Sequence, residues 1–144
     1  MTAIDDLYQV GTSTWLDDLS RERIATGNLD EVKQAKSIVG VTTNPAIFAA
    51  AMGSGAHYDE QLAELKQAGT TANAAVYAMS VKDVQDACDL FRDVYEATGG
   101  KDGRVSIEVD PRYAADEANT IAQARELWQL VDRENLMIKI PATD

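Results

Sequence analysis

The sequence predicts an α/β fold built on a parallel β-sheet. Four short runs rich in β-branched and apolar residues alternate with longer segments of helical periodicity. Strands that alternate with amphipathic helices form βαβ units, in which the strands run parallel and the crossovers are right-handed. The 144 residues suit one domain with a core of its own and are too few for two ordinary domains. An open sheet and half of an eight-stranded barrel both fit, and no G-x-G-x-x-G turn favours a dinucleotide-binding sheet.

The predicted elements begin with a short N-terminal helix. Four strand candidates follow it along the chain: STWLD (13–17), SIVGVTTN (37–44), RVSIEVD (104–110) and NLMIKI (135–140). The segments between them carry apolar residues at helical spacing. One such stripe comprises Val81, Val84, Cys88, Phe91 and Tyr95, and a second comprises Ile121, Ala124, Trp128 and Val131. The span 46–100 exceeds one crossover helix, and its glycine-rich and small polar stretches at 53–59 and 67–73 predict two or three helices there.

The composition excludes several classes of partner and compartment. The formal net charge is −11 and the pI is about 4.4, so the surface repels nucleic acid and anionic membranes. A phosphorylated substrate would need a positive clamp that is local or lies outside this chain. Cys88 is the single cysteine, which excludes an internal disulfide and favours a reducing cytoplasm. The sequence shows neither a signal peptide nor a transmembrane run, so we expect a cytoplasmic protein.

Side-chain parity along the strands gathers several polar residues on one face. Alternate residues of a strand point to opposite faces, so Lys139 and Met137 lie opposite an isoleucine-rich face that packs under helices. The same rule places Ser106, Glu108 and Asp110 on the inner face of the third strand, and Thr42 and Asn44 on that of the second. The rule also places Trp15 and Asp17 on the inner face of the first strand. Four residues therefore converge near the carboxyl ends of the strands, where barrel enzymes keep their active sites: Asp17, Asn44, Glu108 and Lys139.

Each of these residues also has a plain structural interpretation. Lys139 can extend its ammonium group to water while its stem packs. Asn44-Pro45 is a typical helix start, with the asparagine as N-cap. Asp17-Asp18 can cap the following helix, and Glu108 can be an ordinary ion-pair partner. The functional interpretation depends on the convergence of all four.

Three further features have simple interpretations. His57 is isolated in a glycine-rich stretch, so no metal site is predicted there. Cys88 lies on an apolar helical stripe and is expected in the core rather than as a nucleophile. Asp83, Asp86 and Asp89 are expected on a solvated helix face.

Three motifs carry a resemblance to a known family. VGVTTNPAIF (39–48), IEVDPR (107–112) and LMIKIPAT (136–143) resemble, in that order, the signatures of transaldolases. WLDDLSRERI (15–24) resembles the first strand and helix of the actinobacterial-type members. The resemblance implies a (β/α)₈ TIM barrel, of which this chain supplies about the first four β/α units. A complete barrel takes roughly 250 residues, so residues 1–144 are expected to be the N-terminal part of a single barrel domain.

The resemblance also implies the chemistry. Lys139 corresponds to the Schiff-base lysine, Asp17 to the acid/base aspartate and Glu108 to the glutamate that shuttles protons through a water. Asn44 and Thr42 correspond to residues that bind the dihydroxyacetone hydroxyls, and parity favours Asp17 over Asp18. The expected substrates are sugar phosphates, with no metal and no cofactor, and the phosphate-binding arginine is expected outside this chain.

Two other readings stay open for the chain itself. A related class I Schiff-base aldolase would use the same lysine and carboxylates. A non-catalytic half-barrel would expose its first and fourth strands, which would then pair with a second copy. The four units alone are expected to be inactive.

Overall fold

Four parallel strands in chain order form the sheet of the computed structural model, which describes residues 2–53 and 55–143. The strands are β1 (Trp15–Leu16), β2 (Gly40–Val41), β3 (Arg104–Glu108) and β4 (Leu136–Lys139). Each strand pairs in parallel with the next one along the chain. The prediction of four parallel strands is therefore confirmed, although every strand is shorter than its predicted run.

Eight α-helices accompany these strands within the described residues. They are α1 (Ala3–Gln9), α2 (Arg21–Ala25), α3 (Asn28–Ala35), α4 (Pro45–Gly53), α5 (Asp59–Gln67), α6 (Ala72–Leu90), α7 (Arg92–Ala97) and α8 (Glu117–Val131). Short 3-10 turns span Ala56–Tyr58 and Pro111–Tyr113. The two breaks predicted within 46–100 are confirmed, but this span holds four helices instead of two or three. The additional break is at Phe91, between α6 and α7. The Phe91 N–H still bonds to the Ala87 carbonyl, and the Phe91 carbonyl still accepts from the Tyr95 N–H.

The core lies between the sheet and the helices. On β3, Val105 and Ile107 are buried against this layer, as parity predicts. The predicted stripe of α6 is also confirmed, because Val84, Cys88 and Phe91 are fully buried there. Each fully buried side chain of this size contributes about 1.5–3 kcal/mol through loss of apolar surface to water.

The predicted apolar stripe of α8 is confirmed only in part, since Val131 is buried but two other members are not, and a separate prediction of burial on β4 is wrong. On α8 the buried residues are Thr120, Leu127 and Val131, while Ile121 and Trp128 are 41% and 49% exposed. The helix packs against α6 and β4, and most residues of its buried face come one position before those of the predicted stripe. Thr120 tolerates burial because its hydroxyl donates a hydrogen bond to the Tyr113 carbonyl. Ile140 was expected under helices and is exposed, because β4 ends at Lys139.

The opposite face of the sheet is where the candidate residues lie. A Cβ atom on Gly40 would lie 2.5 Å from the Trp15 indole. Only a glycine at this position of β2 therefore leaves space for the Trp15 ring of the neighbouring strand β1. The registers Trp15 with Gly40 and Gly40 with Arg104 then place these residues on one face. Across the residues that the structure describes, no helix is both long and apolar enough to cross a membrane.

Candidate active site

The structure brings Lys139 and Glu108 together at the carboxyl ends of β4 and β3. The strand register places the two residues opposite each other, and their inner-face side chains meet. Lys139 Nζ lies 3.0 Å from Glu108 Oε2 in an ion pair and donates a hydrogen bond of 2.5 Å to the Thr43 carbonyl oxygen. The Lys139 side chain is 38% exposed and that of Glu108 is 16% exposed. An amine in contact with a carboxylate, yet open to solvent on one side, can receive a small carbonyl substrate.

A polar bridge links the segment after β2 to β3 beside this pair. Ser106 Oγ donates to Thr42 Oγ1 at 2.9 Å, and Thr43 Oγ1 donates to the Ser106 carbonyl at 2.7 Å. Thr42 and Ser106 thus lie on the predicted inner face, two residues before Asn44 and Glu108 respectively. Sequence parity did not single out Thr43, because its side chain belongs to the other face. Its backbone carbonyl is what reaches Lys139.

Asn44 directly precedes α4 and also borders a cavity. Its Oδ1 accepts a 3.0 Å hydrogen bond from the Ile47 N–H, so it caps the helix as its sequence context predicted. Asn44 also lines a cavity of about 250 Å³ that it shares with Glu108. The other residues around this cavity, mostly apolar, are Pro45, Phe48, Asn73, Val76, Tyr77, Ser80, Ile107, Asp110, Pro111 and Arg112.

Asp17 forms neither a hydrogen bond nor an ion pair with Lys139 or Glu108 among the residues that the structure describes. Its side chain is exposed and makes no hydrogen bond or ion pair with any residue described. The neighbouring Asp18 is engaged, since its Oδ2 accepts from Arg23 Nε at 2.9 Å. Neither aspartate caps α2. That helix begins after Ser20, whose hydroxyl oxygen accepts from the Arg23 N–H, so the capping alternative is wrong.

Asp110 and Arg112 form a second ion pair near the mouth of the cavity. Arg112 Nε lies 2.9 and 3.0 Å from the two carboxylate oxygens of Asp110. This guanidinium lowers the pKa of the Asp110 carboxyl, and the backbone N–H of Arg112 adds to the effect. Arg112 is the cation that sequence parity missed, although it lies within the IEVDPR motif. Because Asp110 holds it, its charge is already partly neutralised.

The prediction that Cys88 lies in the core is confirmed, and the prediction of a solvated face holds for Asp86 and Asp89 but is wrong for Asp83. His57 is exposed, and no group of three metal-ligating residues occurs within residues 2–53 and 55–143. Cys88 is fully buried, and burial raises the pKa of its thiol to about 12. Asp83, however, is fully buried and paired with Arg21, so its placement on a solvated face is wrong.

Comparisons with known proteins show which family this chain resembles along nearly its whole length. The profile of the transaldolase/fructose-6-phosphate aldolase family matches residues 14–144. Transaldolase 1 of Streptomyces coelicolor is 60% identical over 141 residues, which are 98% of this chain and 37% of that protein. The transaldolase of Mycolicibacterium smegmatis is 56% identical over 137 residues, which are 95% of this chain and 37% of that protein.

The matches also set the extent of the similarity. A transaldolase of a Parafrankia strain is 54% identical over 140 residues, 97% of this chain and 38% of its own length. This chain therefore spans little more than a third of the curated relatives that it matches. The resemblance predicted from the motifs is confirmed, as is the fold class: about the first four β/α units of a TIM barrel. The chain belongs to the transaldolase/fructose-6-phosphate aldolase family.

Proposed function

We propose that this chain carries the Schiff-base half of a transaldolase active site. The enzyme would transfer a dihydroxyacetone unit from sedoheptulose 7-phosphate to glyceraldehyde 3-phosphate. The observation that carries the proposal is the Lys139–Glu108 contact of 3.0 Å at the carboxyl ends of adjacent parallel strands. Relatives named transaldolase, at 54–60% identity over nearly the whole chain, support it.

Lys139 is the proposed nucleophile. Its uncharged amine attacks the ketone carbon of the donor sugar, and loss of water from the resulting carbinolamine gives an iminium ion. Glu108 gives and takes the protons of this dehydration through a water, because it already lies within hydrogen-bond reach of Nζ. The iminium ion then accepts the electron pair of the breaking carbon–carbon bond. This electron sink makes a metal or an organic cofactor unnecessary.

Asp17 is the proposed base for the cleavage step. It takes the proton from the hydroxyl of the leaving fragment, which departs as an aldose phosphate and leaves an enamine on Lys139. The enamine then attacks the acceptor aldehyde, and hydrolysis frees the lysine. Asn44 and Thr42 would hydrogen-bond the hydroxyls of the bound three-carbon unit. Asp17 is exposed and has no partner among the described residues, which favours it over Asp18, which is bound to Arg23.

We further propose that residues 1–144 are the N-terminal part of one barrel domain and do not turn over by themselves. A complete (β/α)₈ barrel has eight strands, and four are described here. Strands β1 and β4 each have a neighbour on one side only, so the isolated chain is expected to self-associate through these edges. Size-exclusion chromatography with light scattering tests this expectation: a monodisperse monomer contradicts it.

The setting of the enzyme follows from its chemistry and composition. Transfer between sugar phosphates belongs to the pentose phosphate pathway, and the single buried Cys88 suits a reducing cytoplasm. The strongly acidic surface argues against nucleic-acid or membrane partners. The ion-paired Arg112 is poorly placed to provide the phosphate clamp alone, which we assign outside this chain.

Borohydride trapping tests the assignment of Lys139. The purified chain is incubated with fructose 6-phosphate, reduced, digested and searched by mass spectrometry for a dihydroxyacetone adduct. We expect no adduct in Lys139→Met and an unchanged one in Lys82→Met, whose lysine is an exposed helix residue. A whole-length relative serves as positive control. An adduct on another lysine, in the chain or at a non-aligned position of the relative, would refute the assignment. No adduct in the chain, with one on the aligned lysine of the relative, would mean that residues 1–144 alone form an incomplete site.

The family description also names fructose-6-phosphate aldolase, which gives a second candidate of the Schiff-base class. An aldolase releases free dihydroxyacetone, whereas a transaldolase holds the three-carbon unit until an acceptor arrives. Incubation of the chain with fructose 6-phosphate, with and without erythrose 4-phosphate as the acceptor, separates the aldolase from the transaldolase. Sugar turnover that depends on the acceptor supports transaldolase, and accumulation of dihydroxyacetone without it supports the aldolase.

A further inference from the structure

A buried threonine that carries no assigned role lies against the proposed nucleophile. Thr43 has no exposed surface, and both its hydroxyl and its backbone carbonyl are engaged in hydrogen bonds. Its hydroxyl donates a 2.7 Å hydrogen bond to the Ser106 carbonyl, and its own carbonyl accepts the 2.5 Å hydrogen bond from Lys139 Nζ. One residue therefore joins the nucleophile to the neighbouring strand.

The backbone at Thr43 depends on side chains for its position. Strand β2 ends at Val41, and the last backbone hydrogen bond towards β1 runs from the Thr42 N–H to the Leu16 carbonyl at 2.9 Å. After this point, the hydroxyls of Thr43 and Ser106 supply the bonds that tie the segment to β3. Removing the Thr43 hydroxyl leaves a buried carbonyl of β3 without this partner and frees the segment to shift.

The direction of the Thr43 carbonyl matters because Lys139 is long and partly exposed. A lysine side chain has four flexible bonds and a compact ammonium group, so its nitrogen is held only by what it contacts. Two oxygens approach Nζ here: Glu108 Oε2 from β3 and the Thr43 carbonyl from the segment after β2. The positions of both oxygens are linked to Ser106. This residue lies two positions before Glu108 on β3, and its carbonyl accepts the hydrogen bond from the Thr43 hydroxyl.

We propose that Thr43 is a positioning residue for the nucleophile: its buried hydroxyl, bound to the Ser106 carbonyl, aims its own carbonyl oxygen at Lys139 Nζ. Thr43 also lies directly before Asn44, so the same anchor fixes the start of α4 where Asn44 borders the cavity. The proposal rests on the proposed function, in that Lys139 is the residue positioned for attack. Its structural part concerns only where the nitrogen is held.

A matched control separates positioning from ordinary core stability. Thr120 is also buried and also donates a 2.7 Å hydrogen bond from its hydroxyl to a backbone carbonyl, that of Tyr113. It belongs to α8, and its side chain forms no hydrogen bond with the proposed site residues in the part of the chain that the structure describes. Thr43→Val and Thr120→Val therefore remove equivalent hydrogen bonds, and only the first changes the surroundings of Lys139. Thr43→Ser keeps the hydroxyl and serves as the rescue variant, and Thr43→Ala replaces Thr43→Val if the latter does not fold.

The experiment has two readouts on each variant, with folding checked by circular dichroism. The first is reductive methylation with formaldehyde, in which the labelling of Lys139 is compared with that of exposed Lys82 in the same digest. The second is the borohydride-trapped adduct from fructose 6-phosphate. In Thr43→Val we expect faster methylation of Lys139 than in the parent, because its nitrogen is less restrained. The amount of trapped adduct should fall on the order of tenfold. Thr43→Ser and Thr120→Val should match the parent in both.

The outcomes distinguish this proposal from the proposed function. If the parent forms no sugar adduct, the methylation ratio still tests Thr43, and a changed ratio supports the positioning role even though the proposed function is unsupported. An unchanged ratio in folded Thr43→Val or Thr43→Ala overturns the proposal. It is also overturned if Thr120→Val alters Lys139 as much as Thr43→Val does, because the hydrogen bond then acts only through general stability.

Discussion

Two ion pairs of this chain have similar contact distances and different surroundings. Arg21 Nε meets Asp83 Oδ1 at 2.7 Å between α2 and α6, where Asp83 has no exposed surface. Lys139 Nζ meets Glu108 Oε2 at 3.0 Å at the end of the sheet, where the lysine is 38% exposed. The buried pair has further partners: Tyr58 donates its hydroxyl to Asp83 at 2.6 Å, and Arg21 donates to Gln61 at 2.6 Å.

The difference bears on which pair a ligand could reach. In the buried pair, the guanidinium also lies 4.4 Å from the centre of the Tyr58 ring, so each charged group has partners that a substrate could not replace without loss. In the Lys139 pair, the lysine side chain is partly exposed, and the proposed chemistry requires Glu108 to release its amine to a carbonyl carbon. The first pair fixes α2, the Tyr58 turn and α6 together. The second is open to a ligand.

The largest effect on stability is expected from breaking the buried pair on one side only. Arg21→Met leaves the Asp83 carboxylate buried without its cation, which should lower the free energy of unfolding by about 3–5 kcal/mol. Urea denaturation measures this change. Arg125→Met, which removes an exposed arginine of α8, is the control for lost charge. The double variant Arg21→Met/Asp83→Leu should recover part of the loss, because no charge then stays buried. A loss below about 1 kcal/mol in Arg21→Met would mean that the pair adds little to the fold.

The site pair should respond in the opposite way. Glu108→Gln removes the charge of a partly exposed pair, so the free energy of unfolding should change by no more than about 1 kcal/mol. The rate of iminium formation should fall on the order of 100-fold, because the group that moves protons during dehydration is lost. Urea denaturation and timed borohydride trapping with fructose 6-phosphate give the two numbers. A stability loss as large as that of Arg21→Met, with trapping unchanged, would make Glu108 a structural ion-pair partner.

Sequence alone could locate the site pair and not the buried pair. Glu108 and Lys139 share a face because side chains alternate in strands, a local rule that survives folding. The burial of Asp83 depends on α2 and the Tyr58 turn packing against that flank of α6, which no local pattern contains. The predicted burial of Trp128 is wrong for the same reason, because the packing of α8 against α6 and β4 determines which face of that helix is buried. Thr43 escaped notice because a backbone carbonyl, not its side chain, reaches the site.

Acid is expected to have a smaller effect on the free energy of unfolding. This effect has opposite signs at two aspartates, Asp83 and Asp110. Burial raises the pKa of Asp83 above its model-peptide value of 3.8, whereas the Arg112 side chain lowers that of Asp110 below it. The contribution of Asp110 is therefore present above pH 3.8 and is lost as the pH falls through its folded-state pKa. The contribution of Asp83 is fully present below pH 3.8 and declines as the pH rises through its folded-state pKa.

Urea denaturation between pH 2 and 7 tests these signs with Asp110→Asn and Asp83→Asn. Relative to the parent, Asp110→Asn should lose stability at neutral pH, by no more than about 1 kcal/mol because Arg112 is largely exposed, and the difference should vanish in acid. For Asp83→Asn the penalty should instead be largest in acid and shrink as the pH rises above 3.8. The same pH trend in both variants would contradict the assigned shifts.

The smallest effect is expected one turn along α6 from Asp83, where the same residue type faces water. Asp86 pairs with Lys82 at i,i+4, and the two side chains are 33% and 51% exposed. An exposed pair of this spacing is worth about 0.3–0.5 kcal/mol, and salt screens it. Lys82→Gln should therefore lower the free energy of unfolding by that amount at low salt and by less in 1 M sodium chloride. Arg21→Met should lose several-fold more at either salt concentration, because water and ions do not reach Asp83. If both variants lost the same amount, burial would not be what separates the two aspartates.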